Sequence, residues 1–247
     1  MSEDSIESKR GQSDFANTRW TLVLAAGDQK SPASQAALKQ LCETYWYPLY
    51  VYARSRLASR ADAEDMTQAF FAEFLEKNFA ATADPQRGRF RAFLLTALKN
   101  FMSKEWEKAR AKKRGGDHSI FSLDFASADS QFGTLKEQRE RTPDELFNRQ
   151  WAITLLNRIL DLLEQEHIAD SKSALFEELK GFIIGDHSGK TYSDAAEALG
   201  MTTAAAKMAV SRMRGRYQAL MKKEISQTVS ENESVEDEIR SLFSALA

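Results

Sequence analysis

One cysteine, Cys42, in 247 residues leaves no internal disulfide and no thiolate zinc site, since either needs a second sulfur. Only four prolines and eleven glycines punctuate the chain, so little stands in the way of long helices. Apolar runs of membrane-spanning length are missing. The polar start, Ser2 to Asp14, carries no signal-peptide core. A cytoplasmic protein with no membrane insertion is therefore expected. An excess of one charge is missing too. Thirty-four Lys and Arg against 36 Asp and Glu give a net charge of −2, so any nucleic-acid surface must come from local clustering. Catalytic groups are thin. His118, His167 and His187 are scattered, and no nucleophile–base or metal-ligand spacing accompanies them. No enzyme, no cofactor and no metal site is expected.

What the chain does have is helical periodicity almost throughout. The expected fold is all-α, with two helical domains joined by a flexible linker. The first domain is placed at 15–114, the linker at 115–143, the second domain at 144–223, and an acidic C-terminal extension at 224–247. Ala36 to Ser59 is an amphipathic stretch crowded with Tyr45, Trp46, Tyr47, Tyr50 and Tyr52. Ala61 to Lys77 forms a helix with Met66, Phe70, Phe71, Phe74 and Leu75 as its apolar side. Asn78 to Arg89 reads as a loop, and Phe90 to Arg114 as a long helix broken by Gly115-Gly116.

The second domain holds the most informative segment, Thr191 to Lys223. Thr191 and Asp194 fit a Ser/Thr-x-x-Asp/Glu helix start. Gly200 suits the left-handed position that ends this helix, and Thr202 can cap the next. In that next helix Ala206, Val210, Met213, Tyr217 and Leu220 keep helical spacing, while Lys207, Arg212, Arg214 and Arg216 occupy the other face. A helix-turn-helix lays its second helix in the major groove, with cations reaching phosphates and base edges. The plain alternative is a two-helix corner with a solvated basic side.

Two more segments carry charge. Asp62, Glu64 and Asp65 open their helix, where the macrodipole favours acids, and the same cluster could dock a basic partner. The helix from Phe90 is basic. Arg87, Arg89, Arg91, Lys99, Lys104, Lys108, Arg110, Lys112, Lys113 and Arg114 are opposed only by Glu105 and Glu107, with Phe93, Phe101 and Trp106 interleaved. Cations suit a phosphate backbone, and exposed aromatic faces suit unpaired bases. Phe93, Leu94 and Leu98 read as core; Trp106 to Arg114 reads as either a nucleic-acid surface or a solvated face.

Three of these segments together resemble bacterial RNA polymerase sigma factors of the extracytoplasmic-function group. They are Asp62-Ala63-Glu64-Asp65-Met66-Thr67-Gln68-Ala69-Phe70-Phe71, then Phe90-Arg91-Ala92-Phe93-Leu94-Leu95-Thr96-Ala97-Leu98-Lys99-Asn100, then the helix-turn-helix with Tyr192, Ala195, Ala196, Leu199 and Gly200. The order and spacing match the family over roughly Thr18 to Lys223. The resemblance implies a transcription initiation factor. Asp62, Glu64, Asp65 and Gln68 would bind core polymerase at the β′ coiled coil, with the β subunit also in contact. Asn78, Arg89, Asn100, Lys104, Trp106, Arg110 and Arg114 would meet the melted −10 element. Thr203, Lys207, Met208, Ser211, Arg212 and Arg214 would meet the −35 element of promoter DNA. An anti-sigma factor or a Ser/Thr kinase is a further partner type known in the family. The sequence departs from the family pattern at Phe93, where Trp is usual, and at Ala205, Ala206 and Ala209 in the second helix. A helix-turn-helix regulator acting without polymerase is the rival reading; it leaves the acidic and the aromatic-basic helices unexplained.

The extension sets Glu224, Glu231, Glu233, Glu236, Asp237 and Glu238 against Arg240 alone, and ends in Ile239, Leu242, Phe243 and Leu246. Two readings fit: a disordered acidic tail, or a short amphipathic helix whose acids compete with DNA phosphate for Lys207, Arg212 and Arg214.

Overall fold

In the computed structural model the described residues are 21–28, 30–84, 88–111, 141–185, 189–229 and 234–247. Every regular element among them is a helix: α1 (Thr21–Gly27), α2 (Ser34–Arg56), α3 (Arg60–Glu76), α4 (Phe79–Thr82), α5 (Phe90–Ala111), α6 (Pro143–Ala169), α7 (Ser173–Ile184), α8 (Tyr192–Ala198), α9 (Thr203–Ser226) and α10 (Val235–Leu246). None is long and apolar enough to cross a membrane among the described residues. Arg114 and most of the linker lie outside the described residues.

Packing divides the chain into two compact units: Met1–Thr154 with Ile225–Ala247, and Leu155–Glu224. These limits differ from those read off the sequence, and the reason is visible in the side chains. The first turns of α6 belong to the first unit because Leu146 packs against the Tyr47, Tyr50 and Val51 cluster, Asp144 pairs with Lys99 at 2.6 Å, and Trp151 is buried. A change of charge pattern marks where solvation changes; it does not mark where a helix's apolar face finds its partner.

The first unit is built on the aromatic run of α2. Tyr45, Leu49, Tyr50 and Val51 are buried, and Tyr45 meets Phe90 of α5 edge-on at 5.5 Å between ring centroids. Phe70 of α3 meets Phe101 of α5 the same way at 5.8 Å. Edge-to-face rings of this kind add specificity beyond the area they bury. Ser59 starts α3 by accepting the Asp62 N–H at 3.0 Å, the side-chain cap that satisfies an orphan donor of the first turn.

The segment after α3 is partly helical rather than loop throughout. Asn78 takes a left-handed conformation (φ 48°) and opens the short α4. Its amide nitrogen donates to the Gly27 carbonyl at 2.8 Å. Gly27 is required there, because a Cβ would lie 2.9 Å from the Ala81 Cα and backbone nitrogen. Likewise the continuous helical pattern from Asp144 to Gly181 is two helices, α6 and α7, separated at Ser171, which has φ 58°.

The second unit packs the rest of α6 with α7, α8 and α9 around Ile159, Leu163, Phe176, Leu179, Ala195, Ala206, Val210 and Met213. Thr191 and Asp194 form a reciprocal capping box at the start of α8, and the Thr191 backbone N–H holds the Asp194 carboxyl below its usual range. Gly200 has φ 63°, and the Met201 N–H reaches back to the Ala196 carbonyl at 2.9 Å. This is the Schellman closure that a left-handed glycine permits. Thr202 then caps α9 by accepting the Ala205 N–H at 3.2 Å.

Candidate nucleic-acid and polymerase surfaces

On α3 the helical repeat puts Asp62, Asp65 and Ala69 along one strip, and all three are exposed. Glu64 and Gln68 sit beside them, half-buried; Glu64 is tied to Arg60 one turn back. Ala63, Thr67, Phe70 and Phe74 turn inward. The strip is therefore acidic, and Asp62 and Asp65 carry its unburied charge.

On α5 the inward face is Phe90, Leu94, Leu98, Phe101 and Met102, with Phe93 half-buried and stacked on Phe90 at 5.9 Å. Asn100 and Lys104, one turn apart, share an exposed strip. Lys99 and Lys108, by contrast, are engaged by Asp144 and Glu105 at 2.6 and 2.7 Å. Trp106 lies off the Asn100–Lys104 strip. It is 38 % exposed, and the Arg56 guanidinium sits 5.9 Å from its ring centroid, a cation–π arrangement. Asn78 is held by Gly27, as above. Arg110 continues α5, and its side chain lies outside the described residues, as does Arg114.

On α9, Thr203, Lys207, Met208, Ser211 and Arg212 are exposed, and Met208, at 63 %, is the most exposed large apolar side chain among the described residues. Lys207 Nζ lies 5.8 Å from the Tyr192 ring, which itself stacks on Phe182 at 4.4 Å. Arg214 donates to the Phe182 carbonyl at 2.6 Å, so it fastens α9 to α7 with at least one of its donors. Arg212 lines an open groove of about 390 Å³ with His167, Asp170, Lys172, Met213 and Arg216. Within it Arg216 is forked onto Glu166, and Lys172 is on Asp170 at 2.8 Å. The Arg216 hydrogen bond holds the Glu166 carboxyl below its usual range. No group of three or more His, Cys, Asp or Glu that could hold a metal occurs among the described residues.

The C-terminal extension ends in the short amphipathic helix of the second reading, but its inward acid meets cations other than Lys207, Arg212 and Arg214. Val235 to Leu246 is a helix, capped by Ser234, which accepts the Glu236 N–H at 3.1 Å. Its inward residues are Glu238 and Leu242, while Phe243 is 52 % exposed. Glu238 pairs inside the first unit, with Arg91 Nε at 2.7 Å and Arg89 Nη1 at 2.8 Å. The burial of Arg91 and the role of Glu238 were missed in the sequence. The available signal was an acid one helical turn before Leu242, on the inward side of an amphipathic helix.

Comparison with protein families finds a likeness within the first unit. Residues 41–112, from within α2 to just past α5, match the family model described as Sigma-70 region 2. This stretch, 72 of the 247 residues, is similar to the region 2 domain of sigma-70 family sigma factors. No curated protein and no solved structure matches the chain. Both α3 with its acidic strip and α5 with its Asn100–Lys104 strip fall within the matched residues.

Proposed function

We propose that this chain is an alternative sigma factor of the extracytoplasmic-function type, acting in the cytoplasm with core polymerase. The observation that carries the reading is the pairing, within the matched region 2, of an exposed acidic strip on α3 with an exposed Asn100–Lys104 strip on α5. In this reading Asp62, Glu64, Asp65 and Gln68 dock the β′ coiled coil. Asn100 and Lys104 face the melted −10 strand, Trp106 and Arg110 follow on a separate strip further along α5, and Arg89 and Asn78 stand at the strand's edge. The segment 115–143 leads to 144–223, where α8 and α9 act as a helix-turn-helix. Thr203, Lys207, Met208, Ser211 and Arg212 then face the −35 major groove, flanked by Arg214. Extruding a base from the −10 duplex costs a few kcal/mol, which polymerase and strand contacts must offset together. An anti-sigma factor or Ser/Thr kinase would act by contesting these same surfaces.

The test is reversal of Asp62 and Asp65 to Lys. Both side chains are exposed, so the fold should survive. The variant should fail to co-elute with core polymerase and fail to support run-off transcription. Retained co-elution would remove the α3 strip as the docking surface. Promoter binding by the chain alone, unchanged by the reversal, would favour a regulator that works without polymerase.

A further inference from the structure

We propose that Arg89 and Arg91, at the head of α5, form an anion seat that takes a nucleic-acid phosphate, and that Glu238 of α10 fills this seat in the free protein. The inference rests on the reading of α5 as a DNA-facing helix and adds its regulation. Glu238 is the inward acid of α10, at 2 % exposure, while Glu236 and Asp237 face solvent. Its two oxygens are bracketed by guanidinium groups. Arg91 donates Nε–H to Oε1 at 2.7 Å and Nη2–H to Oε2 at 3.1 Å, and Arg89 Nη1 lies 2.8 Å from the same Oε2. Ser241 of α10 accepts from Arg91 Nη2 at 2.8 Å and from Arg89 Nη1 at 3.2 Å. Two turns further along α10 from Glu238, Arg149 separately donates to the Leu246 carbonyl at 2.6 Å. Two guanidinium groups against one buried carboxylate leave the cluster with net positive charge even when α10 is seated.

A planar guanidinium grips carboxylate and phosphate in the same forked geometry, so a phosphate is the ligand that can replace Glu238 donor for donor. Along α5 the rise per residue places the seat roughly 14 Å from Asn100, so a strand running over the Asn100–Lys104 strip can reach it. The blocking element is suited to leave. A helix of 12 residues is marginal by itself in water and is held by its docking. Two apolar side chains of matching shape would hold α10 at least as well as a buried ion pair does. A carboxylate in that position therefore trades stability for a contact that another anion can contest.

The test uses full-length protein assembled with core polymerase, and a fluorescein-labelled mixed-sequence single-stranded oligonucleotide as probe. Glu238→Gln keeps the shape and removes the charge. It should bind the oligonucleotide about four- to tenfold more tightly at 50 mM salt, and steepen the dependence of log affinity on log salt by about one unit, as one added phosphate contact would. Adding Arg89→Ala should cancel the gain. Leu242→Ala, which loosens α10 without touching a charge, should also raise affinity. Equal or weaker binding by both folded variants overturns the proposal, as does a gain that survives Arg89→Ala. If Glu238→Gln fails to fold, Leu242→Ala decides alone. Lys104→Ala separates the two layers of the argument. Loss of binding there with no gain in Glu238→Gln refutes the seat only. A gain in Glu238→Gln with Lys104→Ala unaffected keeps the seat and removes the α5 strip.

Discussion

Arg91→Ala probes the energetics of the α10 clasp most directly. The Arg91 side chain is 9 % exposed. It gives three hydrogen bonds to Glu238 and Ser241, a fourth to the Asn148 side-chain oxygen, and lies 4.4 Å from the Trp151 ring centroid. Truncation removes all of these and leaves Glu238, 3 % exposed in its side chain, with Arg89 as its remaining described cation. Removing one partner of a buried pair costs roughly 3–5 kcal/mol because the other charge stays behind uncompensated. Arg89 still stands 2.8 Å away, so the lower end applies, about 3 kcal/mol. At about 1.4 kcal/mol per factor of ten, opening of α10 becomes about a hundredfold more frequent. Hydrogen exchange read on peptides covering 235–246 should show that acceleration, while peptides covering 191–216, which carry none of these partners, keep the wild-type rate. Replacing Arg91 and Glu238 both by Met should restore much of the protection, since both buried charges then leave together. Exchange in 235–246 within about threefold of wild type in Arg91→Ala would refute the accounting, because it would mean less than about 0.7 kcal/mol resides in the node.

Two further outcomes follow from packing. Gly27→Ala should cost about 1–3 kcal/mol by overpacking, since the new Cβ would press on Ala81 backbone atoms at 2.9 Å; a melting temperature equal to wild type would show that α1 and α4 are not held that closely. Burial pushes the Cys42 thiol and the Tyr45 phenol each up to about 12, from ordinary values of 9.0 and 10.0. Both groups thus keep their protons in the folded protein where the unfolded chain loses them. Their contribution to stability is whole below pH 9 and is lost as the pH climbs from 9 towards 12. Urea midpoints of the first unit should fall across that window, and a flat or rising midpoint would contradict the burial of these two groups.

The helices that were legible in the sequence are those with a local signal. Thr191, Asp194, Gly200 and Thr202 each do their work within one turn of their own position, so the capping box and the Schellman closure could be read without knowing any neighbour. The alternation of Asp62 and Asp65 with Ala63, Thr67 and Phe70 is local in the same sense, and the exposed strip follows from it. What was not legible depends on a partner far away in the chain. Asn78 opens α4 because of the Gly27 carbonyl, 51 positions earlier. Arg91 reads as one more cation of a basic helix, yet its buried environment is made by Glu238, 147 positions later, and by Asn148.

The same distinction sorts the candidate site. A cation's spacing says which strip of a helix it lies on, but its availability to DNA is decided by what else competes for it. Lys99 and Lys104 sit on the same helix within five residues, and among the described residues only Lys99 is held by a carboxylate, that of Asp144. Arg212 and Arg214 are two residues apart on α9; Arg214 is turned to the Phe182 carbonyl, while Arg212 opens onto the groove. Arg89 and Arg91 are the strongest instance, since Glu238 and Ser241 of α10 both meet them. Counting basic residues therefore overstates the surface that nucleic acid can use. The useful measure is the set of cations whose internal partner an incoming phosphate can outcompete, and in this chain that turns on whether α10 holds Glu238 in its seat.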